Sequence, residues 1–381
     1  SSYGFVPIDT PVLEYTKILL GKGGGETDKQ IFRFQDNGGR DVAMRFDLTV
    51  PFARFLAAHH DEVGIPFKRY HINKVWRGEN PQKGRYREFV QCDFDIVGAD
   101  NAESDYEILS MMHRSFSALG IKGYTFHISH RALFSIFLEN MGLKDASVDI
   151  LRSVDKLRKI GEDEVRSLLE EITGDNAKAD AVIQYITAGD GSSFEASARM
   201  REIYSLLEAG GIESSFVFDP SITRGLDYYT GIVYETFLDA LPSLGSVCSG
   251  GRYNNLASLY TKEELPGVGS SIGLDRLMAG LEELGSPLLA NASSADVLIV
   301  HGKEETGKAV ECAEKLRGCG IRTDIYLNPE AKMKKIYSYA EMKAIPYMLT
   351  LSPALTLKDL RTREAKEYAS ISDLQKEIRL D

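Results

Sequence analysis

The sequence predicts an α+β protein: a body built on an antiparallel sheet with flanking helices and a helical insertion, followed by a separate α/β domain. Three observations carry this. Two β-rich runs, Lys68 to Arg77 and Arg85 to Val97, are joined by the turn-rich segment Gly78-Glu79-Asn80-Pro81-Gln82-Lys83-Gly84, which reads as an antiparallel hairpin. Residues from roughly 131 to 210 are dominated by helical spacing, as in Val165-Arg166-Ser167-Leu168-Leu169-Glu170-Glu171-Ile172. Beyond a linker of small residues, Val297-Leu298-Ile299-Val300, a helix through Lys315, and Arg322 to Tyr326 alternate as strand, helix and strand.

Each element follows in order. After the hairpin, Tyr106, Ile108, Leu109, Met112, Phe116 and Leu119 keep helical spacing from Glu103 until Gly120 stops it. Tyr124 to Ser129 returns to strand character before the insertion begins. Strand patterns resume at Ser215-Phe216-Val217-Phe218 and at Ile232 to Phe237, and a helix with Leu277, Leu281 and Leu284 closes the body. The expected division is therefore 1–130 and 211–286 for the two parts of the body, 131–210 for the insertion, 287–295 for the linker and 296–381 for the last domain.

A chain of 381 residues, 43% hydrophobic and 27% charged, has the composition of a globular protein of two or three domains. Its net charge of -11 excludes bulk coating of nucleic acid, which needs a basic surface. The charge is uneven: residues 296–381 carry 15 basic against 14 acidic side chains, and residues 1–295 carry 30 against 42. That difference fits two parts with different partners, and equally a plain structural module. No apolar run approaches the roughly 18 residues of a membrane span, and Ser1-Ser2-Tyr3-Gly4-Phe5 lacks the pattern of a secretory leader, so the expected location is the cytoplasm. Cys92, Cys248, Cys312 and Cys319 form no CxxC pair, and the seven histidines form no ligand-spaced set; reduced, mostly buried thiols and no zinc site are expected.

Alternation in the second hairpin strand puts Arg85, Arg87, Phe89, Gln91, Asp93 and Asp95 on one face and Tyr86, Val90, Cys92, Phe94 and Ile96 on the other. The second is a core face. The first, in a lone strand, also fits a solvated surface. The partner strand adds Arg77, followed by Glu79, so several guanidinium groups converge on one hairpin, and such a cluster calls for an anion. With Phe89 able to stack on a base, a polyphosphate nucleotide satisfies both features.

Arg77, Glu79, Asn80 to Phe89, Gln91 and Asp95 together resemble the second signature motif of class II aminoacyl-tRNA synthetases in its histidine-specific version. The resemblance implies that Arg77 contacts the α-phosphate of ATP, Glu79 the adenine amino group and Phe89 the adenine ring, with Arg85 also on ATP. Met44-Arg45-Phe46-Asp47-Leu48-Thr49-Val50-Pro51 resembles the segment that holds the amino-acid ammonium, giving that role to Asp47 and Thr49; the lesser alternative for Asp47 is a cap on the helix entered at Val50-Pro51. Thr223-Arg224-Gly225-Leu226-Asp227-Tyr228-Tyr229-Thr230-Gly231 and Ser249-Gly250-Gly251-Arg252-Tyr253 resemble two signatures of histidyl-tRNA synthetases. They imply a histidine site of Asp47, Thr49, Gln91, Asp95, Arg224, Tyr228 and Tyr229, in which Asp95 and Tyr229 clamp the two imidazole nitrogens. Gly269 to Leu277 resembles the third class II motif, with Arg276 on ATP.

The same glycines, at 267, 269 and 273, miss the spacing of a dinucleotide fingerprint, and Gly21-Lys22-Gly23-Gly24-Gly25 lacks the ending of a phosphate loop. Residues 296–381, with Thr356 to Arg361, resemble the family's anticodon-binding domain. Two departures stand out. The chain opens directly in Tyr3 to Ile8, the stretch like motif 1, without the helix family members usually carry before it, and it is short around Leu351 to Ala354, where an acidic loop is expected. The expected reaction is attack of the histidine carboxylate on ATP, with Arg77, Arg224 and Arg276 as catalytic residues, Mg2+ on the phosphates, metal-binding residues unassigned, and a homodimer that charges tRNA(His) and has no membrane partner. The rival reading is a non-catalytic histidine sensor, like the synthetase-like regulatory subunit of ATP phosphoribosyltransferase. Retention of all three arginines argues against it.

Overall fold

The computed structural model describes residues 2–20, 30–80, 82–187, 197–222, 229–289, 293–375 and 378. Gly21 to Gly25 and the segment from Thr223 to Tyr228 lie outside them. The strands of the body are β1 (Val6–Pro7), β2 (Leu13–Tyr15), β3 (Arg33–Gln35), β4 (Asp41–Met44), β5 (Phe67–Trp76), β6 (Glu88–Val97), β7 (Tyr124–His130), β8 (Phe216–Phe218), β9 (Ile232–Leu238), β10 (Cys248–Arg252) and β11 (Gly267–Gly273). One sheet runs β1-β5-β6-β11-β10-β9-β7-β8, and β2-β4-β3 form a small second sheet. The large sheet is antiparallel except where β1 meets β5 and β7 meets β8.

The expected hairpin is β5–β6, paired without interruption from Phe67↔Val97 to Trp76↔Glu88. Its second strand starts at Glu88 rather than Arg85. Gln82 and Arg85 close the turn by an isolated bridge, and Gly84, at φ +68°, brings the loop against Arg276, where an added Cβ would lie 3.2 Å from that residue's Cα. Long-range packing thus takes Arg85, Tyr86 and Arg87 out of the strand. The face carrying Gln91, Asp93 and Asp95 is not solvated: these side chains are 8, 2 and 2% exposed, because β6 lies between β5 and β11 with both faces covered.

Helices flank this sheet. We label α1 (Thr49–His59), α2 (Ala102–Ala118), α3 (Arg131–Asn140), α4 (Ser147–Val154), α5 (Glu162–Thr173), α6 (Asn176–Thr187), α7 (Ala198–Ala209) and α8 (Leu274–Glu283). Helix α2 starts where Asn101 accepts the Ser104 N–H at 3.1 Å and buries Ile108, Leu109, Met112 and Phe116. Leu119, part of the same apolar pattern, falls at the cap and is exposed. Helices α3 to α6 close their own core, with Phe134, Leu138, Ile150, Val165, Leu169, Val182 and Ile186 buried. In α5 an acidic first turn of Glu162, Asp163 and Glu164 complements the helix dipole, and Gly174, at φ +63°, ends the helix. Helix α7 packs instead on α2, where Tyr106 lies so close to Gly210 that a Cβ there would meet its hydroxyl at 2.4 Å.

The chain divides into two compact units, 1–286 and 287–381. The second contains β12 (Val297–Val300), β13 (Thr323–Ile325), β14 (Tyr347–Thr350), β15 (Leu355–Asp359) and β16 (Ala365–Tyr368) in the order β13-β12-β14-β15-β16, with helices α9 (Thr306–Gly318) and α10 (Met333–Met342). Strand β12 runs parallel to both its neighbours. Its alternation serves two cores: Val297 and Ile299 pack with Leu316 of α9, and Leu298 and Val300 with Ile336 of α10. Among the described residues, no helix is long and apolar enough to cross a membrane.

Candidate active site

The buried polar face of β6 forms the floor of a cavity of about 360 Å³. Its lining gathers Asp47, Thr49, Arg77, Glu79, Arg85, Phe89, Gln91, Asp95, Tyr229 and Arg276 of the sequence-predicted set. Arg224 and Tyr228 lie outside the described residues. The lining also includes Asp93, Tyr253, Ser271 and Asp275, to which sequence reasoning assigned no role.

The basic side of the cavity comes from the hairpin and α8. Arg77 donates from Nε to the Phe46 carbonyl at 2.9 Å, and its guanidinium sits 5.2 Å from the centre of the Phe89 ring, so the cation and the stacking surface hold each other in place. Arg85 pairs with Glu79 at 3.5 Å, both partly exposed. Arg276 donates from Nη1 to the Ser246 carbonyl at 2.8 Å, and its neighbour Asp275 accepts the Val90 N–H at 2.7 Å, which pins the start of α8 to β6. The guanidinium groups are thus oriented by backbone carbonyls and a ring.

The acidic side is the floor itself. Asp47, Asp93 and Asp95 are each at most 4% exposed. One Asp47 oxygen accepts the Val50 N–H at 3.1 Å at the entry to α1, and the other has no hydrogen-bond partner among the described residues. The two sequence readings of this residue are therefore compatible: one oxygen caps, the other is available. Burial pushes Asp47 up to about 6, with Arg77 and Arg69 opposing it, and pushes Asp93 up to about 7, with Arg69 opposing. Asp95 is raised too, by burial, against Arg69 at 2.7 Å and a Tyr253 hydroxyl donating at 2.5 Å. Gln91 donates to the Ser271 hydroxyl at 2.7 Å.

Glycines make this floor possible. Gly269 faces Asp95 across β11, and a Cβ there would lie 1.9 Å from the carboxylate. On β10, a Cβ at Gly251 would meet the Tyr229 ring at 2.9 Å. The signature Ser249 to Tyr253 splits by strand alternation. Arg252 points away from the cavity and pairs with the fully buried Asp105 of α2 at 2.7 Å, whereas Tyr253 holds Asp95. Arg131, at the start of the insertion, donates to the Tyr229 carbonyl at 3.1 Å. The contributions of Tyr253 and Arg69 depend on register: mirroring the chain about the centre of Gly78–Gly84 would pair Arg69 with Asp93, whereas the observed register sets it opposite Asp95.

A cavity with oriented guanidinium groups at one side, a ring to stack on and carboxylates buried in its floor accepts a zwitterion together with a phosphate-bearing nucleotide. On an antiparallel sheet with this hairpin and a strand-to-helix third element, it defines the catalytic body of a class II aminoacyl-tRNA synthetase. Residues 1–277 match the histidyl-tRNA synthetase family, and residues 295–379 match the anticodon binding domain family. The histidine–tRNA ligase of Treponema denticola is 50% identical over 414 aligned positions, covering 99% of this chain and 91% of the relative. That of Rhodopirellula baltica is 44% identical, with 97% and 88% covered. Histidyl-tRNA synthetase from Nostoc sp. PCC 7120 superimposes with a TM-score of 0.85 at 29% identity, over 99% of this chain and 91% of that one. A Bacillus halodurans structure described as an ATP phosphoribosyltransferase regulatory subunit/histidyl-tRNA synthetase shares the fold, with a TM-score of 0.72 at 22% identity and 89% and 88% covered. The chain belongs to the histidyl-tRNA synthetase family.

Proposed function

We infer that this chain is a histidine–tRNA ligase, which activates L-histidine with ATP to histidyl-adenylate and transfers the histidyl group to the 3′ end of tRNA(His). The observation that carries this reading is the pairing, in one cavity, of oriented arginines with a buried carboxylate whose second oxygen is available. Asp47 and Thr49 receive the ammonium, Asp95 and Tyr229 take the two imidazole nitrogens, and Gln91 and Tyr228 complete the histidine site. Glu79 and Phe89 hold the adenine end of ATP, and Arg85 also binds ATP. The histidine carboxylate attacks the α-phosphorus in line, and Arg77, Arg224 and Arg276 neutralise the charge that develops as pyrophosphate leaves.

Mg2+ would be held largely by the phosphate oxygens of ATP and water. When bound it neutralises phosphate charge. The second unit, 287–381, would read the tRNA anticodon. A homodimer is the expected assembly, and the apolar side chains Val6, Leu13, Tyr15, Phe34 and Ile72, all at least 40% exposed on the N-terminal strands, supply an apolar surface for it. A tRNA-charging activity belongs in the cytoplasm with the translation apparatus.

Exchange of labelled pyrophosphate into ATP, run with a panel of amino acids and with and without Mg2+, tests the reaction. Histidine alone should support exchange. Tight histidine binding with no exchange would instead favour the histidine-sensing regulatory reading.

A further inference from the structure

Beneath the cavity lies an arginine that does not line it. Arg69 is fully buried on β5, directly opposite Asp95 in the hairpin register. Its Nη2 stands 2.7 Å from Asp95 Oδ2 and donates to the Leu48 carbonyl at 3.3 Å, and its guanidinium lies 4.3 Å from the centre of the Phe52 ring. Leu48 sits between Asp47 and Thr49, and Phe52 belongs to the first turn of α1. One side chain therefore bridges two parts of the floor: the segment carrying Asp47 and Thr49, and the strand carrying Asp95.

We propose that Arg69 is a positioning residue for histidine, a strut that fixes the spacing and angle between the ammonium-binding segment and Asp95. This rests on the reading of Asp95 as the acceptor of the imidazole N–H. A buried guanidinium suits the task because its Nη2 reaches a carboxylate and a carbonyl at once, and because stacking on Phe52 restricts its remaining freedom. It is also the cation that Asp47, Asp93 and Asp95 share, opposing in each the effect of burial. Without it the floor would lose both its geometry and its counter-charge. Selectivity depends on this, since a two-sided clamp discriminates only while its two sides keep a fixed separation.

The test uses the full chain with Arg69→Met and Arg69→Lys, and Asp95→Asn beside them. Pyrophosphate exchange gives KM and kcat for histidine, KM for ATP, and the ratio of kcat/KM for L-histidine over its ring-N-methylated forms. Arg69→Met should raise the histidine KM about 10-fold or more, as expected for loss of a buried ion-pair partner, and lower the methylhistidine ratio, while the ATP KM stays within about twofold. Arg69→Lys, which keeps the buried charge and loses the fork, should recover part of the loss. A cooperatively melting Arg69→Met protein with unchanged histidine KM and unchanged ratio overturns the proposal. If Arg69→Met does not fold, the Lys variant decides on the same two readouts. An Asp95→Asn protein with normal histidine KM would instead remove the reading of Asp95, whatever the Arg69 variants do.

Discussion

Two of the buried ionic clusters among the described residues of this body differ in one respect. In the first, Asp105 of α2 is fully buried, yet every oxygen is used: Oδ1 takes Arg252 at 2.7 Å and Oδ2 takes Arg199 at 2.8 Å. In the second, Asp47 and Asp93 are almost as buried, but Asp47 Oδ2 and Asp93 Oδ1 have no hydrogen-bond partner among the described residues. Burial raises the proton affinity of all three, so the shift does not separate them. What separates them is the hydrogen-bonding capacity left over. A closed cluster joins elements; an open one faces something that the fold itself does not supply.

The sharpest contrast is expected at the arginines. Arg77→Ala should lower kcat/KM in pyrophosphate exchange by about 1000-fold, the scale of a lost transition-state donor, and leave the melting temperature nearly unchanged. Asp105→Ala should do the reverse. Stripping the counter-charge from Arg252 and Arg199 costs about 3–5 kcal/mol, on the order of 10 °C by calorimetry, with the histidine KM of the folded fraction little altered. An Asp105→Ala protein of normal stability would break the comparison. Asp47→Asn comes next: a histidine KM raised about 30-fold, an unchanged ATP KM, and no loss of stability in the unliganded protein.

The smallest effect is in pH. Asp93 holds its proton up to about 7 when folded, against 3.8 for a free carboxyl, so it favours folding fully below 3.8, and this contribution is lost as pH rises through 7. Asp93→Asn cannot ionise and should show a flatter fall of melting temperature between pH 4 and 8 than the parent chain. Parallel curves would mean that Asp93 is ionised throughout and belongs with the closed cluster.

How much of this was legible in the sequence depended on range. The hairpin strands were written locally, in alternation and turn residues, and so were α2 and α5. The start of β6 was not, because Gly84 lies against Arg276, far along the chain. Most of the cavity residues were found through signature strings. Arg69, Asp93 and Tyr253 were missed as contributors because their meaning lies in register and pairing: Arg69 reads as one more base in a strand until Asp95 is set opposite it. The signature around Arg252 and Tyr253 mixed a structural arginine with a cavity tyrosine, and only the strand faces separate them.

The position of β11 beside β6 has a consequence for the order of events in synthesis. The β5–β6 hairpin closes between residues adjacent in the chain, so its arginines are paired as soon as Val97 is made. The opposite wall arrives much later: Tyr253 reaches Asp95 across 158 residues, and Asp275 reaches Val90 across 185. Such distant closures are slow steps that follow local ones. A nascent chain that ends before Gly267 therefore lacks the strand that joins β10 to β6, and the cavity closes only after β11 and Arg276 of α8 have been made.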